Sequence, residues 1–282
     1  METHPLPPEG GPSAGHLKQA AEAADAASRS APGGRVVYEA ILIEGEEELA
    51  RPSSALFWSG LAAGLSMGFS LVAQGLLQAA LPGTPWRTLV AKLGYSIGFL
   101  LVILGRQQLF TENTLTPVLP LLKRKDASTA GHVLRLWGVV LAANLLGALV
   151  FALVAARTTA FDPEVRAAFV EIGRRAMEPG FATVLLRGIF AGWLIALLVW
   201  LLPYAESARV LVIVIVTYLV GVAHLSHIIA GSVDTFALAA AGRASWGAVL
   251  LGYTLPTLIG NVLGGVTLVA ALNHAQIVSG RS

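Results

Sequence analysis

Asn144-Leu-Leu-Gly147-Ala148 and Asn261-Val-Leu-Gly264-Gly265 place an amide and a pair of small residues at the same spacing inside two long apolar runs. Gly60-Leu-Ala-Ala-Gly64 and Gly188-Ile-Phe-Ala-Gly192 form a second matched pair. The pairs are separated by 128 residues (60 to 188) and 117 residues (144 to 261), so two halves of similar layout follow one another. An internal repeat in a membrane protein places a transport path between the halves. If each half has three spans, the second enters the bilayer from the opposite side.

Composition agrees with a membrane protein. Of 282 residues, 55% are hydrophobic and 13% charged, against about 25% charged in soluble domains, and the mean hydropathy is +0.69. The 30 glycines suit helices that approach closely in lipid. There is no cysteine, which excludes disulfides, thiol catalysis and cysteine-based metal sites. A net charge of +2 is too small to suggest nucleic acid as a partner. No cofactor is implied. Residues 1–50 contain no apolar run of signal-peptide length.

The expected organisation is a largely disordered cytoplasmic tail over 1–50, a transmembrane domain over 51–275 with repeats about 55–156 and 180–272, and a short tail over 276–282. Within the first tail, Val36–Ile43 is apolar and precedes the acidic Glu44-Gly-Glu-Glu-Glu48. This segment suits either the membrane surface or the protein's own cytoplasmic face. Crossing about 30 Å of hydrocarbon takes roughly 20 apolar residues. Six segments qualify: 55–81, 89–122, 132–156, 180–202, 208–240 and 246–272. The second and fifth are too long for one helix and are interrupted, at 105–114 and 221–234. Polar backbone at membrane depth is tolerated only where protein or a water-filled cavity covers it. The fold class is therefore all-α, with six transmembrane helices arranged as two inverted three-helix repeats in the aquaporin manner, the second and fifth being broken. Lys123-Arg-Lys125 and Arg135 point to a cytoplasmic side and put both termini inside. The charged stretch 157–178 fits an amphipathic external helix.

The polar residues within the spans are the functional candidates. His224 lies three residues after Gly221 in an apolar run, and imidazole titrates near neutrality. It reads either as a proton-exchanging group or as a structural histidine bonded to a freed carbonyl. His227 would share its face on an intact helix. The two could bind a metal with Glu112 or Asp234, although the spacing supplies no third ligand. Leu109 and Phe110 beside Thr111 fit a hydrophobic gate next to a polar step, or ordinary packing at a bend. Glu112 and Asn113 are placed to cap the half-helix that follows. Asn144 and Asn261 are placed to satisfy backbone groups at the breaks. Arg106 and Arg187 could each attract an anion or snorkel to an interface.

At these motifs the chain resembles the formate/nitrite transporter family. Tyr95-Ser-Ile-Gly98 with Leu109-Phe-Thr111, Trp137 with Asn144-Leu-Leu-Gly147, Gly221 with His224, and Pro256-Thr-Leu-Ile-Gly-Asn261 carry the likeness. It extends over roughly 50–275, and His227-Ile-Ile-Ala-Gly231-Ser is similar to the YfdC-like branch. The resemblance implies an inner-membrane homopentamer with one pore per protomer, passing a small monovalent anion or its weak acid. It implies His224 as the central proton-exchanging residue and Thr111 as its partner. It implies Tyr95, Phe99, Leu109, Phe110 and Ile195 as the lining of two constrictions, and Asn261 as the support of the second break. Four positions depart from the family pattern: Gln108 and Ala223 where acids are usual, Ala176 (beside Arg175) for a lysine, and Ile228 near an asparagine position. Three other readings compete with proton-coupled anion transport. They are a channel for neutral solutes, a membrane-embedded metal enzyme using His224 and His227, and a non-conducting scaffold.

Overall fold

The structure is a computed structural model and describes residues 33–279, together with 18, 19 and 22. Most of the expected disordered tail, and 280–282 of the C-terminal one, lie outside the described residues. Residues 34–50 differ from that expectation because they form a helix, α1 (Gly34–Ala50). Val37, Tyr38, Ile41 and Leu42 are buried in a cluster with Leu115, Leu119 and Val199. The apolar patch of the tail thus docks on the protein's own face.

Among the described residues five helices are long and apolar enough to cross a membrane: α2 (Ser53–Ala80), α3 (Arg87–Leu104), α5 (Ala127–Arg157), α7 (Phe181–Ala205) and α10 (Trp246–Gln276). Between them come α4 (Val118–Arg124), α6 (Pro163–Met177), α8 (Arg209–Val222) and α9 (Ile228–Ala240). All 13 residues of α9 are buried. It therefore runs through the middle of the bundle, without the polar stripe a surface helix needs.

Local chemistry sets the boundaries. Lys125 closes α4 in the left-handed conformation (φ 55°). Asp126 then caps α5 by accepting from the Thr129 amide at 2.8 Å. Both bonds to Thr129 hold the Asp126 carboxyl below its usual range. α6 begins at Pro163, the position where a missing N–H costs least. It buries Val165, Phe169 and Ile172 and turns Glu171, Arg174 and Glu178 outward, as expected for an amphipathic helix. Hydrogen bonds from Arg174 and then Arg175 pull the Glu171 carboxyl down to about 2.

The matched glycine motifs are the places where backbones touch. A Cβ on Gly64 would collide with the Asn144 carbonyl of α5, and one on Gly192 with the Asn261 carbonyl of α10. Small residues in lipid permit this approach, since burying apolar surface gains nothing there.

Candidate functional site

The chain leaves helical geometry twice inside the bundle. After Leu104 it runs irregularly through Gly105–Phe110, turns over Glu112–Thr114 and resumes as α4. After Val222 it runs through Ala223–His227 and resumes as α9. The second irregular stretch is shorter than the sequence suggests, because Gly231, Ser232 and Asp234 are helical and buried. Arg106 and His224, 118 residues apart by number, both have φ 52°. This left-handed turn is uncommon for residues with a side chain. It swings both side chains outward, leaving His224 exposed.

Asn144 and Asn261 hold these segments with the same set of bonds. Asn144 Nδ2 donates to the carbonyls of Gly60 (2.7 Å) and Gln108 (2.9 Å), and its Oδ1 accepts from the Phe110 amide (2.9 Å). Asn261 Nδ2 donates to Gly188 and Ser226 (2.8 Å each), and its Oδ1 accepts from Ile228 (2.9 Å). Both side chains are fully buried. Each supplies partners that the interrupted helices no longer provide.

The histidine that faces Thr111 is His227. Thr111 Oγ1 and His227 Nε2 are 2.8 Å apart, and both residues are fully buried. The expected pairing of Thr111 with His224 does not form, because the left-handed turn at His224 directs that ring away. His227 Nδ1 accepts from the amides of Ile229 and Ala230, both at 3.2 Å, and so caps α9. An Nδ1 that accepts carries no proton in the neutral ring, so Nε2 carries it and donates to Thr111 Oγ1. With both ring nitrogens engaged and the intervening helix absent, His224 and His227 share no face. Among the described residues no three His, Cys, Asp or Glu side chains are grouped to hold a metal.

Along α3, Tyr95, Phe99 and Ile103 are spaced by four and all buried on one face. The Phe99 ring meets His227 edge-on at 4.9 Å between centroids. Leu109 and Ile195 belong to the same fully buried cluster as Phe99. Phe110 belongs to the same cluster and also meets Trp137 edge-on at 5.8 Å. Tyr95 lines one cavity of about 60 Å³. Ile103, two turns along, lines another of about 370 Å³. Phe99, His227 and Thr111 are thus the level at which two cavities approach each other without joining.

The first cavity carries Lys92, Arg175, Arg187, His224 and Asp234 beside Tyr253. The second carries Glu44, Glu47, Glu48 and Glu112 against Arg106 and Arg209. Glu48 of α1 reaches into the second, its two carboxylate oxygens accepting from Gln108 Nε2 (2.9 Å) and Thr116 Oγ1 (2.8 Å). An acid of α1 is therefore brought beside Gln108 at the first break. Burial raises the Glu48 carboxyl above its usual range, against the lowering effect of those two bonds. Arg106 pairs with Glu44 at 3.4 Å. Glu112 and Asn113 do not cap α4, whose first turn has no side-chain cap. Asn113 instead donates to Gln108 Oε1, and its carbonyl accepts from Trp137 Nε1 (2.8 Å). Lys92, Glu48 and Tyr253 were not singled out from the sequence. Only Lys92 had a visible signal, a cation three residues before Tyr95 in an apolar run.

Comparison with known proteins adds five matches. Residues 35–275 match the formate/nitrite transporter family model. The chain is 44% identical over 241 residues to the inner membrane protein YfdC of Escherichia coli K12, covering 86% of this chain and 78% of that protein. It is 35% identical over 100 residues to the formate channel FocA of Haemophilus influenzae, about a third of each chain. Among solved structures it superimposes on an FNT family ion channel with TM-score 0.76 at 17% identity, covering 86% of this chain and 99% of that one. A pentameric formate channel with formate bound gives TM-score 0.66 at 18% identity, covering 80% and 98%.

Proposed function

The chain belongs to the formate/nitrite transporter family, and from that premise we propose that it carries a small monovalent anion through the membrane by way of its weak acid, exchanging a proton at His227. The Thr111–His227 bond, lying between the two cavities, is the observation that carries this reading. The apolar side chains of Phe99, Leu109 and Ile195 disfavour a bare anion far more than a neutral acid. The anion takes a proton from solvent in the Lys92 cavity as it approaches His227 and returns it to solvent beyond, so it crosses that stretch uncharged while the ring keeps its own Nε2 proton. Thr111 holds the Nε2–H bond until the permeant competes for it.

The paired breaks support two inverted three-helix repeats. Asn144 and Asn261 bond alike, Arg106 and His224 turn alike, and α8 with α9 supplies a sixth, interrupted span beside the five long helices. A ring of five protomers follows the pentameric relative. Lys123, Arg124 and Lys125 end α4 on the α1 face and favour that face as cytoplasmic.

The test is uptake into proteoliposomes of formate, nitrite, lactate, hydrosulfide and a neutral solute at two pH values. The parent protein should carry at least one of the weak acids faster at the lower pH. His227→Asn should keep the oligomer and lose that response, while His224→Asn keeps it. A His227→Asn variant that follows pH as the parent does would overturn proton exchange at His227. Passage of the neutral solute alone would favour a pore in which His227 only donates hydrogen bonds.

A further inference from the structure

Asp234 is the buried acid that the transport reading leaves without a role. It sits on α9 two turns beyond His227, so both side chains belong to one side of the helix. It is 6% exposed, and that exposure opens into the Lys92 cavity. Among the described residues it makes no hydrogen bond and no ion pair within 4 Å. An acid buried without a donor is costly, so a buried carboxylate kept in a cavity needs a donor that enters the cavity. Gly231, one turn back, is bare for a reason: a Cβ there would collide with the Tyr253 hydroxyl. Tyr253 belongs to a π-helical turn, Leu250–Thr254, of the kind found at functional sites. The α9 face thus presents Asp234 and, over Gly231, the Tyr253 hydroxyl to the same small space.

The other groups around that space decide what the carboxylate does. Lys92, Arg175, Arg187 and His224 face it from α3, α6, α7 and the second break, with Tyr95 and Tyr253 completing the titratable set. Lys92, Arg175 and Arg187 balance one negative charge and also draw anions from solution. A permeant that has lost its proton meets Asp234 as a like charge. The same permeant in its acid form offers an O–H that Asp234 can accept.

We propose that Asp234 and the Tyr253 hydroxyl form a hydrogen-bonding subsite for the protonated form of the permeant, and that Asp234 excludes anions that have no acid form near neutral pH. The assignment rests on the transport function proposed above. No bond is made or broken at the subsite; the acid's O–H donates to the Asp234 carboxylate and the Tyr253 O–H donates to the acid's carbonyl-type oxygen.

The experiment compares formate with nitrate, whose acid is fully ionised at neutral pH, in proteoliposomes of the parent, Asp234→Asn and Tyr253→Phe. The parent should pass formate and little nitrate. Asp234→Asn, which is isosteric and uncharged, should raise the nitrate-to-formate ratio on the order of tenfold. Tyr253→Phe should slow formate and leave the ratio unchanged. If Asp234→Asn fails to assemble, Asp234→Ser is read in the same way. Parent-like ratios in the assembled variant overturn the subsite while the transport function stands. A parent that carries neither ion, nor any of the other weak acids named above, overturns both.

Discussion

At the first interruption Asn144 ties the chain down and the segment opens toward Glu44, Glu48 and Glu112; at the second Asn261 makes the same three bonds and the segment opens toward Lys92, Arg187 and His224. The support is shared and the electrostatics are opposite. A bonding scheme made of one amide and three backbone groups depends only on local geometry, so both halves can keep it. Several of the charges around it come from elements that the halves do not share. α1 brings Glu44, Glu47 and Glu48 to one cavity, and α6 brings Arg175 to the other. The two mouths therefore differ in sign while meeting at one buried polar pair.

Breaking the shared support should have the largest effect. Asn144→Leu would leave the Phe110 amide and the Gly60 and Gln108 carbonyls without a side-chain partner, at about 1–3 kcal/mol per group. Asn261→Leu would do the same at the second break. Both variants should lose the detergent-stable oligomer at temperatures where the parent retains it, measured by size-exclusion chromatography after heating. Equal losses would sharpen the comparison; a loss at only one site would show that the two clamps are not equivalent.

A smaller effect is expected from the charges. Arg187→Gln should raise the anion concentration needed for half-maximal uptake by several-fold, with less dependence on salt than the parent, because the basic cavity concentrates anions by Coulomb attraction. Glu47→Gln, in the opposite cavity, should shift it little or lower it. Matching increases in the two variants would remove the electrostatic difference between the mouths.

The smallest effect concerns α1. Burial raises the Glu48 carboxyl above its ordinary range, so the docked helix holds a proton more readily than the free one. Docking is then strongest below the ordinary glutamate range and weakens as pH rises through the raised value. Amide exchange at Val37–Leu42, corrected for intrinsic rates, should show modestly better protection at pH 5 than at pH 8. Glu48→Gln should remove that difference. Equal protection of the parent at both values would mean that Glu48 does not control the docking.

Much of this protein is legible in its residues. The apolar runs locate the long helices to within a few residues, and the matched Asn and Gly motifs are the points where α2 meets α5 and α7 meets α10. Leu109, Phe99 and Ile195 are buried as apolar side chains beside a polar pair, and Thr111 is a member of that pair. Three features are not legible. Asp126 reads as a charge beside a basic run, and Glu171 and Arg174 as charges of an amphipathic stretch, and neither reading shows that they cap and staple helices. Glu48 reads as one acid among several until α1 folds back against the first break. Phe110 reads as a second lining residue beside Leu109; it shares the buried cluster of Leu109, and its edge-on contact with Trp137 is what neither spacing nor composition marks.

The choice between His224 and His227 shows where sequence stops. Composition and hydrophobic length determine by themselves that this is a multi-pass helical membrane protein, and the motif order determines its family. They also require that a polar group stand where the fifth apolar run is interrupted. They do not determine which histidine turns inward, because side-chain direction follows from helical periodicity only while the helix continues. Once α8 ends, the left-handed turn at His224 and the bond from the Ile228 amide to Asn261 set the direction of every side chain between them. Those constraints come from a residue 33 positions further along the chain, and they exist only when α10 is packed against the break.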